Sequence, residues 1–237
     1  MSPKTADPET RAALIEAAAR LLAEEGPTAL STRRLATEVG TSTMAVYTHF
    51  GGMDELHRAV REEGFARLMS HLRSVPATRD PVADLTALGW AYCFNAVANP
   101  HLYRAIFLEA PIDEAEATVG RSTFEQLIAT VVRCIEAGRF QPADPESLAV
   151  QLWTAGHGMI CAVLAHVLSI EQVIVHFSAM ARNLYVGFGD QPDSALRSIK
   201  RARQRMQRTA STPPPARSAH ERQPGRRRLR VREGARR

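Results

Sequence analysis

No apolar run in these 237 residues reaches the roughly 20 needed to span a bilayer. The first residues also lack the apolar core of a secretory signal, so the sequence points to a cytoplasmic chain with no membrane partner. Cysteine is scarce: Cys93, Cys134 and Cys161 are all there is. They lie in apolar helical contexts without C-x-x-C spacing, which reads as reduced thiols rather than disulfides or a zinc site. His157, His166 and His176 are nine and ten residues apart, not the four that put two ligands on one helical face, so no metal is expected. Cys161, four residues after His157, does share its face. Neither a Ser/His/Asp pattern nor a phosphate-cradling glycine loop occurs. The chain is therefore read as a non-enzyme without a cofactor. Strand alternation flanked by hairpin turns is missing as well.

What is present is a 45% hydrophobic chain, long enough for one large or two modest domains. Its net charge of +5 conceals an asymmetry. Residues 197–237 hold 15 Lys+Arg against Glu221 and Glu233, a net of 15 − 2 = +13, leaving 15 − 23 = −8 on residues 1–196. The body is acidic and the basicity belongs to a tail. An argument for nucleic-acid binding from overall charge would rest on the wrong segment.

Apolar spacing is helical throughout. Helices are expected over residues 10–25, 32–39, 43–49, 53–73, 80–98, 100–109, 113–137, 144–168 and 170–186. Pro145 after Asp144 is a start signal with a mechanism, because proline's missing N–H costs nothing in the first turn. The expectation is an all-α protein of about nine helices. It divides into a flexible segment 1–9, an N-terminal unit 10–52, a helical unit 53–188, and a basic, largely disordered tail 189–237. The arginine-rich run to Arg208 could extend as a solvated helix.

Residues 28–50, TALSTRRLATEVGTSTMAVYTHF, are the most informative stretch. Leu30, Leu35, Ala36 and Val39 recur at helical spacing, with Ser31 placed to cap the helix start. Gly40 suits a left-handed residue ending that helix, and Ser42 then caps a second one of about two turns. The second helix exposes Thr43, Met44, Tyr47 and Thr48, while Ala45, Val46 and Phe50 point inward. Two short helices joined by a tight turn, the second with small polar residues and an aromatic hydroxyl outward, form a helix-turn-helix shaped for a major groove.

These residues resemble the TetR family of one-component transcriptional regulators. The match is carried by Leu35-Ala36, Val39-Gly40, Ser42, Tyr47-Thr48-His49-Phe50 and Asp54-Glu55-Leu56, closely over residues 10–60. Trp153, His157 and Gly158 further resemble the Trp-x-x-x-His-Gly signature of one C-terminal subclass. Two positions depart from the family pattern: Thr41 replaces an apolar residue, and Met53 a lysine that opens helix 4 near a phosphate. The resemblance implies that residues 10–52 are a three-helix helix-turn-helix DNA-binding domain and residues 53–188 a helical ligand-binding and dimerisation domain. It also implies a repressor that a small molecule releases from a palindromic operator.

On that reading Tyr47 touches DNA and His49 a phosphate. Thr32 and Arg33 are phosphate partners at a helix start, where free N–H groups and a cation favour an anion. Ser42 caps the recognition helix, and Thr43, Met44 and Thr48 read bases. None of the three offers a bidentate pair to a purine, so discrimination rests on packing against thymine methyls. Trp90, Phe94, Tyr103, Phe107, Phe124, Trp153, His157, Cys161 and Phe177 fit an apolar effector pocket with a few polar groups. Singly, each also fits ordinary core, and His157 reads either as a polar handle or as a satisfied core histidine. Residues 144–186 are apolar on more than one face, which points to a homodimer through the last two helices. The tail reads as solvated disorder, as a salt-sensitive DNA anchor, or as a site for another anionic partner. The rival function is a non-specific nucleic-acid-binding dimer driven by that tail.

Overall fold

The computed structural model describes residues 7–108 and 114–211, with side chains described for 7–108 and 120–207. Among the described residues there are ten α-helices and no strand. They are α1 Pro8–Glu25, α2 Thr32–Val39, α3 Thr43–Phe50, α4 Met53–Arg73, α5 Pro81–Ala98, α6 Pro100–Phe107, α7 Glu114–Glu136, α8 Pro145–Leu164, α9 Ile170–Gly187 and α10 Pro192–Ser211. The all-α expectation holds.

Local chemistry places the ends. Asp7, Asp80 and Asp144 each accept backbone N–H groups at the starts of α1, α5 and α8, and proline occupies the first turn of all three. Ser169 and Gln172 form a reciprocal capping box on α9. Gly40, at φ 72, ends α2 in the left-handed region, and Thr41 N–H donates back to the Ala36 carbonyl at 2.8 Å.

One core joins α1, α2, α3 and the first half of α4, built on Leu14, Leu21, Leu35, Val46, Leu56 and Val60. Leu102 and Ala105 of α6 enter that same core. The reader is therefore not closed off at residue 52: α4 and α6 both complete it and continue into the larger helical body. There a second core gathers α5, α7, α8, α9 and α10 around Val82, Val131, Leu148, Tyr185 and Ile199. Cys93 and Cys134 are buried free thiols, which burial pushes up to about 12.

The tail expected from residue 189 begins with structure instead. α10 packs along α5, burying Ala195, Ile199 and Ala202. Its arginine-rich face, read as solvated, closes on two buried carboxylates. Asp80 accepts from Arg201 at 2.5 Å, from Ser198 at 3.0 Å and from Arg139 at 3.4 Å. Asp84 accepts from Arg205 and Arg133, both at 3.1 Å, and from the Thr78 N–H and hydroxyl at 2.7 Å. Arg139 also pairs with Asp190 at 2.6 Å. The small apolar stripe of α10 lies at helical spacing but is masked in sequence by the arginines between its members, which is why nine helices are expected and ten form. Residues 212–237 of the expected tail, and 1–6 of the expected flexible N-terminus, lie outside the described residues.

One further correction concerns α8. By length and composition it is apolar enough to cross a membrane, contrary to the expectation that no segment is. Its apolar side chains instead line a cavity and supply a face shared with α9.

Candidate DNA-reading helix and buried cavity

α3 is amphipathic in the sense a groove-reading helix requires. Val46 and Phe50 point into the core, with Leu35 of α2 beneath them. Thr43, Met44, Tyr47 and Thr48 are exposed on the opposite side, Met44 at 68% and Tyr47 at 51%. Met44 and Tyr47 are thus a large apolar and an aromatic side chain held out in water on a two-turn helix. Thr48 donates its hydroxyl proton to the Met44 carbonyl at 2.8 Å, which leaves oxygen lone pairs and a methyl outward. Ser42 accepts from the Ala45 N–H at 3.2 Å and so fixes the start of the helix rather than reaching outward. His49 is half-buried beside Phe50, ring centroids 6.1 Å apart.

At the start of α2, Thr32 is half-buried and Arg33 exposed, with Ser31 capping through the Arg34 N–H at 3.2 Å. Arg34 is held away by Glu25 at 2.9 Å and Glu38 at 3.7 Å. Met53 opens α4 partly buried against the reader core, so an apolar contact stands at that position. Residues 7–60 carry five arginines against eight carboxylates. Long-range attraction to phosphate is accordingly weak on this surface, and local N–H groups and single cations must do the positioning.

A cavity of about 690 Å³ lies inside the larger body. Four of the nine residues expected there line it: Phe107, Phe124, Trp153 and Phe177. The other five do not. Trp90 is buried behind Phe177, ring centroids 4.3 Å apart, and Phe94 stacks on its far side, 46% exposed. Tyr103, His157 and Cys161 form a layer behind the wall. The sequence reading missed the α4 contribution, Phe65, Leu68 and Leu72, although their spacing of three and four is a visible helical stripe. It also missed Tyr92 of α5, which lines the cavity and carries its hydroxyl into a hydrogen-bonded cluster.

That cluster has a defined geometry. The Tyr92 and Tyr103 hydroxyls are 2.6 Å apart, and the Tyr103 hydroxyl is 2.6 Å from His157 Nδ1. Tyr92 stands further from Nδ1, at 3.2 Å, and His157 Nε2 lies 3.4 Å from Cys161 Sγ. The Trp153 ring stacks on His157 at 4.9 Å and 22°. Trp153, His157 and Cys161 thus occupy successive turns of one face of α8. Burial pushes both phenols well above their ordinary range, with like-signed Tyr92 adding to the effect on Tyr103, and it pushes the His157 imidazole below its usual value. Both phenols and the imidazole are neutral at pH 7.

Two family models match the chain, "Bacterial regulatory proteins, tetR family" over residues 14–60 and "Tetracyclin repressor-like, C-terminal domain" over residues 85–184. A helix-turn-helix transcriptional regulator of Mycobacterium tuberculosis is 26% identical over 180 residues, 75% of this chain and 81% of its own. Two solved structures share the fold. A tetR-family regulatory protein from Rhodococcus RHA1 has a TM-score of 0.66 at 22% identity, covering 78% of this chain and all of its own. A TetR family regulator from Thermus thermophilus has a TM-score of 0.56 at 23% identity, covering 62% and 82%. Reader, helical body and relatives agree: the chain belongs to the TetR family of DNA-binding transcriptional regulators, a family of regulators rather than enzymes.

Proposed function

We propose that this regulator is a cytoplasmic, homodimeric repressor that leaves a palindromic operator when a small molecule fills the cavity. The observation that carries the reading is a shared helix. α4 contributes Leu56, Ala59 and Val60 to the reader core and Phe65, Leu68 and Leu72 to the cavity wall. At 1.5 Å per residue its 21 residues span roughly 30 Å, so displacement at the cavity end reaches the reader as a lever. A ligand acts only through differential affinity for the two positions of that lever.

Base reading falls to Thr43, Met44, Tyr47 and Thr48, with Thr32, Arg33 and His49 on phosphates and Ser42 holding the helix start. Dimerisation falls to α8 and α9, whose Val150, Ile170, Ile174 and Val175 are left exposed among the described residues of one protomer. Two-fold symmetry then sets the spacing between half-sites. The direct test is Tyr47→Ala. Because the side chain is half exposed, the variant keeps its fold and its dimer but loses operator affinity by at least about tenfold, within the roughly 1–3 kcal/mol of a base contact made twice. Unchanged affinity would remove α3 from the interface.

A further inference from the structure

Resting on the effector-cavity reading, we propose that the cavity selects a largely apolar molecule bearing a hydroxyl, and that Tyr92 is the residue that recognises it. Hydrogen counting carries the argument. The two 2.6 Å contacts, Tyr92 to Tyr103 and Tyr103 to His157 Nδ1, each need a hydrogen between their heavy atoms. A neutral imidazole has one N–H. If it sits on Nε2, it points at Cys161 Sγ, Tyr103 donates to Nδ1 and Tyr92 donates to Tyr103. Only the weak Cys161 S–H is then left without a partner in the cluster. If it sits on Nδ1, the chain reverses, the thiol donates to Nε2 and the stronger Tyr92 donor is left over beside the cavity. The first arrangement strands the weaker donor and is the cheaper one.

In that arrangement Tyr92, a lining residue of the cavity, has no proton to offer and keeps oxygen lone pairs uncommitted. The wall around it is largely aromatic and aliphatic, with Phe65, Phe107, Phe124 and Phe177, and Arg121, Thr123, Glu125, Gln126 and Glu146 also line it. A ligand hydroxyl donates to Tyr92, whereas an ether oxygen brings its own lone pairs against those of Tyr92. His157 does not touch the ligand. It is a positioning residue that sets the direction of the chain by drawing the Tyr103 proton to Nδ1.

Calorimetric titration of the full chain with 1-octanol and with methyl octyl ether tests this. The alcohol binds the wild type about tenfold tighter, the value of one net hydrogen bond. Tyr92→Phe brings the two probes to within about twofold of each other. His157→Phe keeps the ring stack but frees a phenolic proton, so the ether binds as tightly as the alcohol or more tightly. That inversion is something a merely structural histidine would not produce. Equal affinities in the wild type, or an undiminished alcohol preference in Tyr92→Phe, overturn the proposal while leaving a ligand-binding cavity in place. Failure of both probes to bind overturns the proposal and the cavity reading together.

Discussion

A Cβ added to Gly64 of α4 would stand 2.8 Å from Cγ2 of Ile106 on α6 and 3.3 Å from the Leu102 carbonyl. The two helices therefore meet nearly backbone to backbone, closer than any other residue allows. α6 is a second link between reader and cavity. Its Leu102 and Ala105 pack in the reader core, while Tyr103 and Phe107 face the hydroxyl cluster and the cavity. Arg67, one turn on from Gly64, ties α4 to Asn99 at 2.8 Å and to Glu16 of α1. α4 and α6 thus pack as one wedge.

Gly64→Ala should pry that wedge open. Overpacking costs about 1–3 kcal/mol, offset by the roughly 0.5–1 kcal/mol that alanine gains in a helix interior, so a net loss of about 1–2 kcal/mol is expected in chemical denaturation. The larger effect is expected in coupling: operator binding survives, but its response to a cavity ligand shrinks. A variant with full ligand response would show that the contact does not transmit.

Much of this was legible in the sequence, for identifiable reasons. The reader's helices declare themselves through Ser31, Gly40 and Ser42, caps whose chemistry is local. Phe107, Phe124, Trp153 and Phe177 reach the cavity because large aromatics on helical stripes have few other places to go. That Tyr103, His157 and Cys161 do not line the cavity is not visible in sequence, because spacing along one helix says nothing about depth. Tyr92 takes its meaning from partners on other helices, Tyr103 and His157, which no local pattern reveals. The packing of α10 is hidden because Ala195, Ile199 and Ala202 are small, and the acceptors of its arginines, Asp80 and Asp84, lie more than a hundred residues earlier.

Acid titration of stability should reveal His157. Burial holds its folded imidazole below the ordinary 6.5, so just below that pH the unfolded chain binds a proton the folded one refuses. This contribution to stability is complete above about pH 7 and falls away as pH drops from 6.5 toward the folded value. His57, also lowered by burial and by Arg61, titrates with the same sign, so the diagnostic is the difference between wild type and His157→Phe. That difference should shrink as pH falls below about 7 and level off above. A flat difference would mean that the folded imidazole titrates as the unfolded one does, against its burial.

Asp84 works in the opposite direction. Burial alone would push its carboxyl up, but hydrogen bonds from Thr78, Arg205 and Arg133 outweigh that and hold it below the carboxylate range. Its stabilisation is present above about pH 4 and is lost as pH falls through the lower folded value. Asp84→Asn leaves Arg133 and Arg205 without their anion. Because both arginines keep about a third of their side chains in water, at 34% and 31%, a loss of about 2–3 kcal/mol is expected, below the full cost of a deeply buried broken pair. Detachment of α10 should accompany it, read as faster amide exchange at Ala195 and Ile199.

Ile174→Arg addresses the dimer. The residue is 38% exposed on α9, one turn from Ile170 at 41%. A charge there leaves the protomer core intact and should shift sedimentation to the monomer, with operator affinity falling at least about a hundredfold as two-site binding is lost. A dimer that persists would move the interface off this face.

The most direct measurement separates the reader from the basic tail. The chain shortened to end at Ser211 keeps α10 but removes residues 212–237, with their nine arginines and two glutamates. DNA selected from a random pool by the full chain is titrated with both forms at several salt concentrations. A helix-turn-helix reader predicts the same palindromic preference in both, with weaker affinity and a shallower salt slope for the shortened chain. Loss of sequence preference together with most of the binding would contradict that account and leave the tail as the nucleic-acid-binding element.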